Sequence, residues 1–303
     1  MRAVAPIALA ALLSGCIFWG PSDDRDYADT TPKGPGCGSQ LRVDDDGVAM
    51  QCFGELDPGI TALPADDLTT LAICNTTLTR PLPLRRLTNL RALSLMRTKG
   101  ELKLPPLSTL PHLEALDLTG YAPPKDTPVA EAFAFLAEAR GLRRLRLRDT
   151  PFDDLRLIAG LRELEALDLT NAPIRDLSPL RSLPKLRRLV LHGTHVSDIR
   201  PLRALRGLEE LDLARTGIRD VTPLARLTNL RRLQLEGNFF RDLEPLHGLT
   251  KLRTLGLRDV SVSHEATYAL EQSVNAGRPD DQRLVADSAG HEHFGGSCKG
   301  GWD

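Results

Sequence analysis

The side chains most able to do chemistry stand together in residues 191–199, LHGTHVSDI. His192 and His195 lie three apart, and two imidazoles at short spacing could hold a metal ion. Ser197 and Asp198 follow them, so the stretch also holds the residue types of a Ser-His-Asp hydrolase. Either chemistry requires the side chains to converge on one point. Whether they do depends on the elements that carry them.

Those elements recur. The segments LEALDLTNAPIRDLSPLRSLPK (164–185), LRRLVLHGTHVSDIRPLRALRG (186–207), LEELDLARTGIRDVTPLARLTN (208–229) and LRRLQLEGNFFRDLEPLHGLTK (230–251) align without gaps at a period of 22. Leu164, Leu186, Leu208 and Leu230 fill the first slot. Leu142, Leu252, Leu90 and Leu68 continue the series, with Leu113 one residue out of step. Nine units therefore run from about 68 to 262. In this frame His192 takes the seventh slot with Thr170, Ala214 and Glu236, and His195 the tenth with Pro173, Gly217 and Phe239. Asp198 is the recurring Asp176, Asp220 and Asp242, while Ser197 matches Arg175 and Arg219. Each residue belongs to a different solvent-facing slot of a repeated scaffold, so neither a catalytic nor a metal centre is expected here.

The pattern LxxLxLxxT-x-[IVF]-x-D-[LIV]-x-P-L-x-x-L resembles the leucine-rich repeat in its 22-residue bacterial, internalin-like form, over about 195 residues. The resemblance implies an α/β solenoid, a horseshoe with short parallel strands on its concave face and short helical or 3-10 turns on its convex face. The spacing supports the same geometry on physical grounds. LxL alternates with period two, so Leu167 and Leu169 point inward from a short strand while Asp168 points out. Ile174, Leu177, Leu180 and Leu183 bring the return arm back onto the same core. In DLSPL, Ser178 is expected to cap a helical turn with Pro179 at its first position. Thr222-Pro223 repeats that chemistry; Arg200-Pro201 and Glu244-Pro245 repeat only the proline. Members of the family usually carry Asn at the ninth slot, where it satisfies backbone groups of the turn. Here Thr76, Thr98, Thr150, Thr194 and Thr216 stand there, and Asn238 keeps the amide. A hydroxyl does that work less completely.

Two features interrupt or end the period. Between Leu118 and Leu142 a unit grows by seven residues, and Val129, Phe133 and Leu136 in the added stretch fall on one helical face. An inserted α-helix over 128–140 on the convex side is expected. Residues 263–277 read as a capping helix between Ser263 and Gly277, needed because a terminal repeat has no neighbour to cover its core. Residues 278–303 are expected to form a weakly ordered tail.

The chain's 303 residues are 41% apolar but only 4% aromatic, so the core must be aliphatic. A net charge of −1 favours no nucleic-acid partner. That charge is unevenly spread: residues 17–70 hold 11 acidic and 3 basic side chains, residues 141–260 hold 16 acidic and 23 basic. At the front, MRAVAPIALAALLSGC has an apolar run too short to span a bilayer, which takes about 20 residues, but suited to a secretory signal. Its LSGC end resembles the lipobox of bacterial lipoproteins, which implies cleavage before Cys16 and lipidation of that cysteine. Ile17, rather than Asp, after Cys16 favours the outer membrane by the sorting rule of well-studied lipoproteins. Residues 17–36 read as an acidic tether and 37–67 as an N-terminal cap. In that cap CGSQLRVDDDGVAMQC alternates around a DDDG turn, a hairpin pattern. Acidic DDDG lacks the EF-hand spacing needed for calcium.

Cysteines in an oxidising compartment tend to pair. With Cys16 carrying lipid, Cys37, Cys52, Cys74 and Cys298 remain, and Cys37–Cys52 is the natural hairpin staple. Cys74–Cys298 would link the two ends of the solenoid, which requires the tail to fold back. His291, His293 and Cys298 match no strong zinc template. No phosphate loop, nucleophile elbow or cofactor motif is present. The reading is a non-enzymatic, lipid-anchored envelope protein, a monomer that binds a partner protein on its concave face. The alternative is a binder of anionic envelope glycan or lipopolysaccharide through its arginines. The expected contact residues are Arg144, Arg146, Arg148, Asp168, Arg188, His192, Glu210, Asp212, Arg232 and Gln234. Opposite charges neighbour each other along the rows Arg188–Glu210–Arg232 and Asp117–Arg146–Asp168, whereas Arg144 and Arg148 are expected to lack such partners.

Overall fold

The computed structural model describes residue 40 and residues 42–43, 48–55, 60, 62, 67–79, 81–82, 84–102, 104–279 and 283–287. A hairpin opens it: β1 (Arg42–Val43) pairs antiparallel with β2 (Val48–Gln51). A small side pair joins β3 (Gly54–Glu55) to β5 (Thr76–Thr77). The repeat strands are β4 (Thr70–Ile73), β6 (Ala92–Ser94), β7 (Ala115–Asp117), β8 (Arg144–Arg146), β9 (Ala166–Asp168), β10 (Arg188–Val190), β11 (Glu210–Asp212), β12 (Arg232–Gln234) and β13 (Thr254–Gly256). With β1, β2 and β14 (Val285–Asp287) they form one twelve-stranded sheet. From β2 to β14 every neighbour is parallel, and the repeat strands run in sequence order. The architecture is an α/β solenoid.

Register follows the repeat. Leu189 stands between Leu167 and Leu211, and Leu211 between Leu189 and Leu233. These leucines and Leu169, Leu191 and Leu213 are each at most 2% exposed. A parallel connection needs a long crossover, and here each crossover is the rest of the repeat. Its turns are 3-10 segments, among them Leu155–Ile158, Ser178–Ser182, Arg200–Ala204, Thr222–Arg226 and Glu244–Leu246. The sheet supplies one wall of the core and these return arms the other.

Just past each repeat strand the backbone turns left-handed, at the eighth slot. Asn75, Arg97, Asp149, Asn171, Arg215 and Asp259 all have φ between 49° and 57° there. Gly120, Gly193 and Gly237 occupy the same slot. The turned amide is used: Asn171 N donates to His192 O at 2.8 Å and Arg215 N to Glu236 O at 2.8 Å. A left-handed arginine costs roughly 1–2 kcal/mol, so the stacked neighbour's carbonyl must hold it.

The ninth slot then closes the turn. Thr98, Thr150, Thr194 and Thr216 each donate a hydroxyl to one backbone carbonyl three residues back. Asn238 does more. Its Nδ2 donates to Leu213 O and Leu235 O, and its Oδ1 accepts from Gly217 N and Ile218 N. The amide thus ties two repeats together, and the Thr216 hydroxyl also reaches its Oδ1 at 3.2 Å, whereas the hydroxyls of Thr98, Thr150 and Thr194 bond within their own repeats.

The structure corrects several expectations. Ser178 and Thr222 are not the caps. The N-cap positions are Leu177 and Val221, which are buried in the core and carry no capping group. An aspartate does the work: Asp176, Asp198, Asp220 and Asp242, one residue before the N-cap, and Asp154, itself an N-cap, each accept from the backbone N–H two residues on, at 2.8–3.0 Å. Nor is 128–140 one helix. A single turn, α1 (Val129–Ala132), gives way to a 3-10 segment, Ala134–Glu138. Phe133 breaks it, because its ring is fully buried edge-on between Tyr121 and Phe152, at 5.7 and 5.3 Å. At the far end α2 (His264–Asn275) starts with Ser263 Oγ accepting from Ala266 N. Beyond it β14 extends the sheet, so 278–303 is not wholly an unstructured tail.

Asn238→Ala should leave several backbone groups buried without partners, at roughly 1–3 kcal/mol for each orphan. The expected loss is about 3 kcal/mol or more, against about 1 kcal/mol for Thr216→Val, read from urea midpoints at unchanged m. Equal losses in the two variants would show that the amide ties nothing across repeats.

Candidate functional site

Side chains at the third, fifth and seventh slots leave the sheet on the face opposite the core. On β8 and just after it that face presents Arg144, Arg146 and Arg148, with Arg144 exposed and the other two half-buried. Its flanking strands have the same sequence, ALDLT, at 115–119 and 166–170. Arg144 therefore stands between Ala115 and Ala166, both buried, and makes no ion pair among the described residues. Its guanidinium rises between two methyl groups.

The other arginines of this strand are engaged. Arg146 Nη1 lies 3.3 Å from Asp117 Oδ2, whose second oxygen accepts from Thr119 N. Arg148, expected to lack a partner, has Nε 3.6 Å from Asp149 Oδ2. That carboxylate belongs to the left-handed residue three positions past the strand. Asp168 was expected to share Arg146 and to be open to a partner. Instead it is 8% exposed, and its Oδ1 accepts from both Thr170 N and Thr170 Oγ1.

Further along, the third-slot row neutralises itself. Glu210 takes both fork nitrogens of Arg188 and lies 3.4 Å from Arg232 Nη1. Asp212 Oδ1 accepts from Ala214 N. The Gln234 side chain leans across the space left open at Gly256, whose missing Cβ would collide with it. His192 is half-buried on this face, whereas His195 is exposed on the following loop and Asp198 holds Arg200. The residues that opened the sequence reading are thus dispersed. Among the described residues no three His, Cys, Asp or Glu side chains converge as metal ligands. Cys52 is buried beside the opening hairpin; Cys16, Cys37, the DDDG turn and the His291, His293, Cys298 set lie outside the described residues.

One row was missed from sequence. The second slot alternates in sign as Arg91, Glu114, Arg143, Glu165, Arg187, Glu209, Arg231. Arg91–Glu114, Arg143–Glu165 and Arg187–Glu209 close at 3.0, 2.6 and 2.6 Å. Reading that column down the alignment would have revealed it. On the return arm, hydrogen bonds from the Arg200 side chain and backbone lower the Asp198 pKa to about 2. Asp154, Asp176 and Asp220 shift the same way, Asp154 chiefly through Arg156 and the other two through hydrogen bonds from Ser178 and Thr222.

A carboxylate with a depressed folded value adds stability above its unfolded value of about 3.9 and loses it below. The protein should therefore lose stability as pH falls from about 4 towards 2, and Asp198→Asn should lose less over that window. Melting temperature against pH tests this. Parallel curves for the two proteins would mean the capping carboxylate carries no linkage.

Residues 89–244 match the leucine-rich repeat region family. Among solved structures, an internalin of Listeria monocytogenes (inlF) aligns with TM-score 0.57 and 21% identity, covering 80% of this chain and 81% of that one. A second internalin of that organism (inlC2) aligns with TM-score 0.51 and 26% identity over 74% and 82%. The mouse RP105/MD-1 complex aligns with TM-score 0.57 and 21% identity over 78% and 45%. No curated protein matches the chain. Together with the nine stacked strands and their leucine ladder, the family match means that this chain belongs to the leucine-rich repeat proteins.

Proposed function

We propose that this protein is a non-enzymatic, lipid-anchored envelope protein that binds a partner protein on its sheet face, with Arg144 at the centre of the contact. The observation that carries the reading is the contrast along that face. Asp117, Arg146, Arg188, Glu210 and Arg232 are held in ion pairs within the sheet, while Arg144 is exposed between two alanines. A cation with small neighbours admits a partner's carboxylate without first breaking an internal pair, so the desolvation cost is low. The repeat fold suits such a role because its stacking makes a long, rigid, continuous surface. The matched mouse structure is itself a complex with another protein.

Anchoring rests on the sequence. LSGC after the apolar run supports lipidation at Cys16, with the outer membrane favoured. Cys37 and Cys52 would staple the hairpin that closes the N-terminal end of the core, worth roughly 3 kcal/mol for a loop of about 15 residues.

Two experiments check these readings. With the partner in hand from crosslinking at the sheet face, Arg144→Ala should weaken its binding by roughly tenfold while leaving the melting temperature unchanged. Binding to lipopolysaccharide alone, lost in the same variant, would shift the reading to the anionic-glycan alternative; affinity unchanged in Arg144→Ala would move the site elsewhere. Peptide mapping of the membrane-extracted protein without reductant should find a diacyl group on Cys16 and a Cys37–Cys52 link. An unlipidated N-terminus would end the anchoring proposal, and Cys37 joined to Cys298 would end the staple.

A further inference from the structure

The return arm carries a charge cluster that the sheet-face reading does not use. Between the turns Ser178–Ser182 and Arg200–Ala204 lies an open cleft of about 620 Å³. Arg181, Arg200 and Arg203 line it against a single carboxylate, Asp198. That carboxylate is committed: Arg200 Nε reaches its two oxygens at 2.9 and 3.0 Å and Nη2 reaches one at 2.6 Å. It stays ionised at neutral pH, and its hydrogen bonds are taken up by Arg200, while Arg181 acts on it only through space. The Ser178 hydroxyl is likewise turned to Asp176.

Arg181 and Arg203 are different. Both are exposed, and neither makes an ion pair among the described residues. They feel Asp176, Asp198 and Asp220 only through space. They fill the same slot of adjacent repeats, on the neighbouring 3-10 turns Ser178–Ser182 and Arg200–Ala204. The flanking repeats carry Ala159 and Ala225 in that slot, which confines the doublet to one step of the solenoid. Like charges side by side on neighbouring rungs repel. In the second slot from Arg91 through Glu209, and at Arg188, Glu210 and Arg232 in the third, neighbouring rungs supply a glutamate; beside Arg181 and Arg203 the same column supplies none.

We propose that this cleft binds a phosphomonoester group, held between the Arg181 and Arg203 guanidiniums. The chemistry selects the ligand. Two planar forks offer paired donors in a geometry that phosphate oxygens accept two at a time. A phosphomonoester brings three terminal oxygens and close to two negative charges at neutral pH, matching two guanidiniums that no ion pair engages among the described residues. A carboxylate brings two oxygens and one charge, and satisfies only one fork. The site lies on the return arm and stands independently of the sheet-face proposal.

The test is thermal denaturation of the full chain titrated with inorganic phosphate, against sodium chloride at matched ionic strength. At tenfold excess over Kd, phosphate should raise Tm by roughly 3 °C. Arg181→Gln with Arg203→Gln should abolish the shift, and Arg156→Gln, on a neighbouring turn, should keep it. Should the double glutamine variant fold poorly, Arg181→Lys with Arg203→Lys keeps the charge but loses the forks, and should weaken binding at least fivefold. Co-sedimentation with vesicles containing phosphatidic acid, against phosphatidylcholine alone, separates the sources: binding lost in the double variant identifies a lipid headgroup, and a phosphate shift without vesicle binding identifies a soluble phosphomonoester. A phosphate shift no larger than that of chloride, or one that survives both double variants, overturns the site.

Discussion

A single 22-residue turn of this chain cannot bury its own leucines, and everything else in the structure follows from that. Leu189 is fully buried only because β9 and β11 flank it at the same height. Stacking is therefore obligatory, and it fixes the register of every other column. Once the leucines align, equivalent side chains must stand one strand spacing apart, about 4.8 Å. Backbone groups left over at each turn must then find partners in the next repeat, as Asn171 N does at His192 O. The ends need covering, which Ala49 and the opening hairpin do at one side and α2 with its buried Leu270 and Val274 at the other.

The same alignment that buries leucines would stack like charges. The chain avoids this by alternating sign down the second slot, from Arg91 through Glu209, and in part of the third, at Arg188, Glu210 and Arg232. Each such exposed pair contributes little alone, of order 0–1 kcal/mol. Arg144 on the sheet face, between two alanines, and Arg181 with Arg203 on the return arm are positions where the neighbouring rungs supply no opposite charge. Sites in a repeat protein are most readily found as departures from the column they sit in.

The solenoid was legible because its signal is repeated nine times. One LxL is weak, but the columns through Leu164, Leu186, Leu208 and Leu230 leave no freedom in register. Reading the columns also disposed of the His192, His195 and Asp198 cluster. What the sequence did not reveal were effects that depend on single backbone geometries. The caps fell to aspartate rather than to Ser178 or Thr222, because the residue between them is pulled into the core. The inserted helix shortened to one turn because Phe133, which looked like one member of an apolar stripe, is instead drawn between two other rings. Arg148 pairs with its own neighbour in sequence, Asp149, whose backbone is left-handed. Periodicity carries none of this information.

The central claim is that the partner meets the sheet face rather than the return arm. The most direct measurement places a photoreactive amino acid at Ala166, beside Arg144, and in a second protein at Ser182, on the return arm. After illumination in intact cells, the adducts are identified by mass spectrometry. A sheet-face contact requires one defined protein adduct from position 166, absent from 182 and lost when Arg144→Glu is added. The same protein captured from 182, with nothing captured from 166, would contradict the claim.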